Sequence, residues 1–228
     1  MTADDLPAAF EGLPADWRAV LSGWTASAQA DVVAGVRRAS GARSIAPQDP
    51  FRALRLVSPP TARVVVFGQD PYPGAGHADG LAFSAPTNAR PSLRRIFDVL
   101  EADRPGWRRP RSGRLDAWAA QGALLLNPTL TVEIGRANSH VAAGWLALTR
   151  EIVTVLCKRA EPPVFLLWGA QAQSFFDAAV PPGASPRSLR TRHPSNDFKR
   201  SFMADGSHFA ATADRVDWWA LSSTVAAA

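Results

Sequence analysis

The strongest constraint on this 228-residue chain is a recurring unit: a short, continuously apolar run, a polar loop, then a helical pattern. The runs are Val64-Val65-Val66-Phe67, Ala123-Leu124-Leu125-Leu126 and Val164-Phe165-Leu166-Leu167-Trp168, with a weaker one at Ser188-Leu189-Arg190-Thr191. Runs of this length, bounded by Gly or Pro, suit strands buried on both faces of a parallel sheet. Helical patterns lie between them. Ser92 to Asp103 follows Pro91, and Leu148, Ile152, Val155 and Leu156 form a stripe at helical spacing. A last helix is expected over His208 to Leu221, and residues 1–60 read as helical and capping, ending in the Pro-rich stretch Pro47 to Pro60. The predicted class is α/β, a three-layer α/β/α arrangement around a central, mainly parallel four-stranded sheet. With no repeat, low-complexity segment or linker, one domain is expected over 1–228, with 1–45 as a helical extension packed on it.

Composition narrows the class further. At 46% hydrophobic the chain can bury a full core, which excludes disorder as its main state. No apolar run approaches the ~20 residues of a membrane helix, so no membrane partner is expected. The acidic N-terminus lacks the features of a secretory signal. A single cysteine, Cys157, excludes an internal disulfide framework and a Cys-based zinc cage. A reducing, cytoplasmic location is therefore expected. The net charge of +5 comes from 25 Lys+Arg against 20 Asp+Glu, and all the cations but Lys158 and Lys199 are Arg. That excess is compatible with a polyanion partner but does not identify one.

In open parallel sheets, ligands bind just outside the carboxyl ends of the strands. The residues that follow the runs are Gly68-Gln69-Asp70-Pro71-Tyr72, Asn127-Pro128-Thr129, Gly169-Ala170-Gln171 and His193-Pro194-Ser195. Asp70 could act as a base toward water or stabilise a developing cation; alone, it would sooner be read as a turn or N-cap aspartate. Asn127 offers the donor and acceptor needed to read an imide edge, or could close an Asx turn. His193 could donate to a carbonyl oxygen that gains charge, or be structural. Phe83 could stack on a planar ring, or be core. Gly74-Ala75-Gly76 lacks the spacing of a P-loop or dinucleotide fingerprint. His140, Trp168 and Cys157 read as structural.

The order and spacing of these blocks resemble the family 1 uracil-DNA glycosylases. Gly68-Gln69-Asp70-Pro71-Tyr72 with Gly80-Leu81-Ala82-Phe83-Ser84 is similar to the family's first motif. Leu124-Leu125-Leu126-Asn127, Leu130-Thr131-Val132 and Ala137-Asn138-Ser139-His140 are similar to its central block. Phe165 to Gly169 is similar to its next strand and His193-Pro194-Ser195 to its last motif, while Asp49 to Leu54 fits the stretch upstream. The likeness runs from about residue 45 to 221. It implies an enzyme that flips deoxyuridine out of DNA and hydrolyses its N-glycosidic bond, without metal or cofactor. It implies that Asp70 orients water and faces the cationic sugar, and that His193 hydrogen-bonds uracil O2. By the same likeness Asn127 reads the base edge, the backbone near Gln69 adds polar readout, Phe83 stacks, and Tyr72 excludes thymine's methyl. Ser92 and Ser195 would contact flanking phosphates. DNA, single- or double-stranded, is the implied partner, and a monomer the implied state.

Three departures qualify the likeness. The family's first motif continues with a water-holding His where this chain has Pro73, and His77 is a candidate substitute. The last motif usually reads His-Pro-Ser-Pro-Leu-Ser, its Leu wedging into the duplex. Here it reads His193-Pro194-Ser195-Asn196-Asp197-Phe198-Lys199-Arg200. Asp197 at the Leu position would repel phosphate, so Phe198 is the candidate wedge, with Lys199 and Arg200 as cations beside it. The altered loop argues against binding of the DNA-mimicking inhibitor protein that engages the wedge region. Third, Gly169-Ala170 replaces the usual Gly-Ser. Two alternatives to uracil release are a glycosylase for another damaged or 5-substituted uracil, and a non-cleaving DNA-damage binder. The cluster Arg104, Arg108, Arg109, Arg111 and Arg114 could attract phosphate or be a solvated loop.

Overall fold

The computed structural model describes residues 1–87, 89–195, 197 and 199–221. Helices α1 (Leu6–Phe10), α2 (Ala15–Arg18) and α3 (Ala26–Ser40) precede strand β1 (Ile45–Ala46) and helix α4 (Arg52–Leu56). Then follow β2 (Val64–Phe67), α5 (Pro91–Asp103), α6 (Asp116–Ala119), β3 (Ala123–Leu126) and β4 (Val132–Glu133). The chain continues through α7 (Trp145–Cys157), β5 (Val164–Trp168), α8 (Ala170–Ala179) and β6 (Ser188–Thr191). The four apolar runs are thus the four strands of one parallel sheet, ordered β3-β2-β5-β6 and flanked by helices. Strands β1 and β4 form a separate antiparallel pair.

Every residue of β2, β3 and β5 is buried, as continuous apolar strands require when helices cover both sheet faces. Phe67 stacks on Phe165 at 6.4 Å, and Phe165 meets Phe176 of α8 at 4.7 Å. Each such ring, fully buried, contributes roughly 1.5–3 kcal/mol. The weaker run, β6, is the half-exposed edge, where Arg190 reaches Asp177 of α8 at 3.0 Å. Pro91 starts α5 because its fixed φ suits the first helical position, where no N–H is needed. The N-terminal helices pack on the same core, with Phe10 5.2 Å from Trp24 and 5.9 Å from Trp145. Among the described residues no helix is long and apolar enough to cross a membrane.

The expected helix over His208 to Leu221 does not form; only a single 3₁₀ turn, Ala210–Thr212, is present. The segment is instead tied down by side chains from elsewhere in the fold. Trp118 Nε1 donates to Trp218 O at 2.8 Å and Trp107 Nε1 to Trp219 O at 2.9 Å. The Asp217 N–H goes to Gln121 Oε1 at 2.8 Å. Periodicity within the segment cannot reveal these distant partners.

Two histidines sit in the core. His140 lies between Ser40 Oγ (2.7 Å) and Thr131 Oγ1 (2.9 Å), and His208 accepts the Trp168 indole at 3.1 Å. Burial pushes both from the ordinary 6.5 down to about 4. An unfolded chain binds these protons and the native one does not, so their stabilisation is complete above pH 6.5 and is lost as pH falls toward 4. Each should cost about 1.4 kcal/mol per pH unit in that window. Tm should therefore fall between pH 7 and 5, and less so in His208→Gln; parallel curves for the two proteins would refute the assignment.

Candidate active site

The carboxyl ends of β2, β3 and β6 meet around a cavity of ≈ 90 Å³ lined by Gly68, Gln69, Asp70, Tyr72, Phe83, Ser92, Asn127 and His193. It lies where the chain reverses its direction of strand addition, from β3 on one side of β2 to β5 and β6 on the other. Its small volume suits one planar ring.

Asp70 follows β2 by three residues. Its Oδ2 accepts the Asn138 N–H at 2.6 Å, while Gln69 Nε2 donates to Asn138 Oδ1 at 2.6 Å. Asn138 therefore grips two consecutive residues of the strand-end turn. It does so at φ 60°, a left-handed conformation that Asn tolerates better than most side chains. Burial raises the Asp70 pKa, and the Asn138 N–H pulls it back. Asn138 belongs to the central block, but nothing in its own stretch shows that it reaches Asp70.

Asn127 caps β3 and is 8% exposed. Its Oδ1 stands against the Cα of Gly68, where a Cβ would come within 2.1 Å. Gly68 is glycine because the Asn127 amide occupies the space of a side chain. Phe83, also 8% exposed, adopts φ 64° and lies 5.2 Å from Trp168 and 5.9 Å from the His193 ring. Tyr72 Oη donates to Phe83 O at 3.2 Å, which holds the phenol at the cavity wall, and burial raises its pKa.

His193 leaves β6 and turns back over Ser195. The Ser195 N–H donates to His193 Nδ1 at 3.0 Å, and Ser195 Oγ lies 2.7 Å from the same atom. Nδ1 is therefore an acceptor, and the neutral ring carries its hydrogen on Nε2. Burial lowers the His193 pKa, which favours that neutral form. Gly169, at φ 101°, supports the ring; a Cβ there would meet His193 Cβ at 2.8 Å. The next residue, Ala170, starts α8 and lines the groove beside His193 together with Lys199.

His77 does not line the cavity: its ring lies over Gly74, where a Cβ would meet Nδ1 at 1.9 Å. Lys199 and Arg200 are exposed, Arg200 at φ 49°. Phe198 lies outside the described residues. Asp197 does not point at the DNA side as a repelling charge. Its carboxylate turns inward, 3% exposed, and pairs with Arg95 Nε at 2.8 Å. In the arginine cluster, Arg109 is spent on Asp98 (2.7 Å) and Glu101. Arg104 lies over the Trp219 ring at 5.5 Å.

A carboxylate, a neutral imidazole donor, a primary amide and an aromatic face around one small cavity can grip a base and cleave its bond to sugar. Residues 55–216 match the family described as the Uracil DNA glycosylase superfamily. A uracil-DNA glycosylase of Bordetella parapertussis is 46% identical over 195 residues, covering 83% of this chain and 76% of that protein. One from Salmonella agona is 42% identical over 183 residues, covering 79% of each. Among solved structures, mimivirus uracil-DNA glycosylase superposes with a TM-score of 0.68 at 24% identity, covering 86% of this chain and 72% of that one. A point variant of the mimivirus protein in complex with UGI superposes with a TM-score of 0.71 at 23% identity, over 83% of this chain and 75% of that one.

Proposed function

The chain belongs to the uracil-DNA glycosylase superfamily and hydrolyses the N-glycosidic bond of deoxyuridine in DNA; from that premise we propose how its own residues carry the reaction. The observation that supports the reading best is Asp70 and His193 lining the same ring-sized cavity. A flipped uracil lies against Phe83, and Asn127 pairs with its N3–H and O4; cytosine presents the inverted pattern and is refused. As the bond from C1′ to N1 breaks, its electron pair stays on uracil, and charge grows at O2. The His193 Nε2–H donates to that oxygen; removing such a donor typically costs about 10²–10³-fold in rate. Asp70 faces the oxocarbenium-like sugar with its charge and orients water toward C1′. The water oxygen bonds C1′ and its proton passes through the carboxylate to solvent, leaving an abasic site.

Pro73 offers no side-chain group to that water, and its carbonyl already accepts the Gly135 N–H at 2.8 Å. Asp70 therefore carries water positioning without help from His77. Burial raises the Asp70 pKa, and the carboxylate is needed ionised, so the acid limb of the rate lies above the ordinary carboxylate value. Ser92 in the cavity lining and Ser195 in the adjoining groove contact the phosphates on either side. We read the chain as a cytoplasmic monomer of one domain acting on either strand form. Both catalytic side chains sit in the cavity, which disfavours a non-cleaving binder.

The direct test is alkaline scission of a uracil-containing oligonucleotide after incubation. Scission at the uracil is expected; an uncut strand would remove the reading. Tyr72→Ala tests the base range, because the phenol fills the wall that would otherwise admit a methyl group at C5. Measurable thymine release is expected from that variant. Continued refusal of thymine would place the steric limit elsewhere.

A further inference from the structure

We propose that the ion pair between Arg95 and Asp197 braces the two walls of the cavity at the spacing the DNA backbone requires, which makes both of them positioning residues. Arg95 sits on α5 one turn after Ser92, which lines one wall of the cavity. Asp197 comes two residues after Ser195, whose hydroxyl lies 2.7 Å from Nδ1 of the cavity-lining His193, and both line the groove that adjoins the cavity at His193. The contact joins residues 102 positions apart, with Arg95 Nε 2.8 Å from Asp197 Oδ2.

The same carboxylate organises the chain that follows it. Asp197 Oδ1 accepts the Ser201 N–H at 2.7 Å and the Ser201 hydroxyl at 3.2 Å, while Oδ2 accepts the Phe202 N–H at 3.0 Å. Arg95 Nη2 also approaches the carbonyls of Arg200 and Phe202 at 3.5 Å, and its Nη1 lies 3.8 Å from Asp98. Arg95 is 15% exposed and Asp197 3%. A carboxylate this buried is tolerated only because charged and backbone donors satisfy it, and such an arrangement holds only one geometry well. Loss of either partner frees the Ser195 wall from the Ser92 wall. The brace thus holds the two serine hydroxyls at a set distance before DNA arrives, and this rests on reading Ser92 and Ser195 as phosphate contacts.

Single-turnover cleavage of two oligonucleotides tests it. One carries ordinary phosphates on both sides of deoxyuridine, the other uncharged methylphosphonates there. Arg95→Gln and Asp197→Asn should each slow cleavage of the phosphate substrate about tenfold. The double variant should lose no more than either single one, as coupled partners do. On the methylphosphonate substrate the same variants should lose less than about twofold, because the brace serves a contact that is absent there. Inhibition by free uracil, which reads only the base cavity, should be unchanged. Arg95→Lys, which keeps the charge but not the Nε contact, carries the test if the Gln variant fails to fold. Equal slowing on both substrates, additive losses, or weakened uracil inhibition would overturn the brace. A wild-type enzyme indifferent to the methylphosphonates would instead overturn the phosphate reading of the serines.

Discussion

Replacing Asp70 with Asn is expected to slow single-turnover uracil release by about a thousandfold, combining lost charge opposite the sugar with lost water activation. The fold should survive, because an Asn carbonyl can still accept the Asn138 N–H that Asp70 Oδ2 accepts at 2.6 Å. Binding of a uracil oligonucleotide should survive too, since no described contact of Asp70 reads the base. Rapid-quench measurement of product against time, with enzyme in excess, isolates the chemical step. A loss below about tenfold would mean that the carboxylate is not the main electrostatic partner of the transition state. The wild-type pH profile supplies a second check. Its acid limb should lie above the ordinary carboxylate range, as burial dictates, and Asp70→Asn should have no such limb.

The second large effect is expected from a single methyl group. Gly68→Ala places a Cβ 2.1 Å from Asn127 Oδ1, far inside contact distance, and 3.0 Å from Ala82 Cβ. The strand end is buried and hydrogen-bonded, with Gly68 N donating to Leu126 O at 3.1 Å, so the side-chain amide must give way. On the proposed reading of Asn127, displacing the amide removes its pairing with uracil. The kcat/KM should fall about a hundredfold or more, close to the loss in Asn127→Ala, and the double variant should add little. Inhibition by free uracil should weaken in parallel. If Gly68→Ala keeps full activity, or if its loss adds fully to that of Asn127→Ala, the glycine does not act through the amide.

The four strands occur where continuous apolar runs place them, because a strand covered on both faces leaves a local signature in the sequence. The helix from Pro91 was equally legible, since proline, spacing and amphipathicity all lie within it. The C-terminal segment misled for the opposite reason. Its helical pattern is real, but Gln121 Oε1 takes the Asp217 N–H that a helix would use, and the Trp107 and Trp118 indoles hold the segment's end from across the fold. Asp70, Asn127 and His193 are visible as candidates because strand ends in such sheets converge on one edge, and the ordered motifs weigh against their structural alternatives.

Other features of the site arise only from contacts across the fold. Asp197 read as a charge opposing DNA, yet its partner is an arginine 102 residues earlier. Asn138 holds Gln69 from 69 residues away, and Gly68 shows its role only once Asn127 lies over it. His77 is near Asp70 in sequence but packs on Gly74 instead. Sequence carries what repeats locally: strand runs, helix starts and the chemistry at strand ends. Which charges are neutralised, which backbone donors meet the Asp70 carboxylate and which glycine makes room depend on segments that meet only when the sheet assembles. No local pattern encodes those meetings.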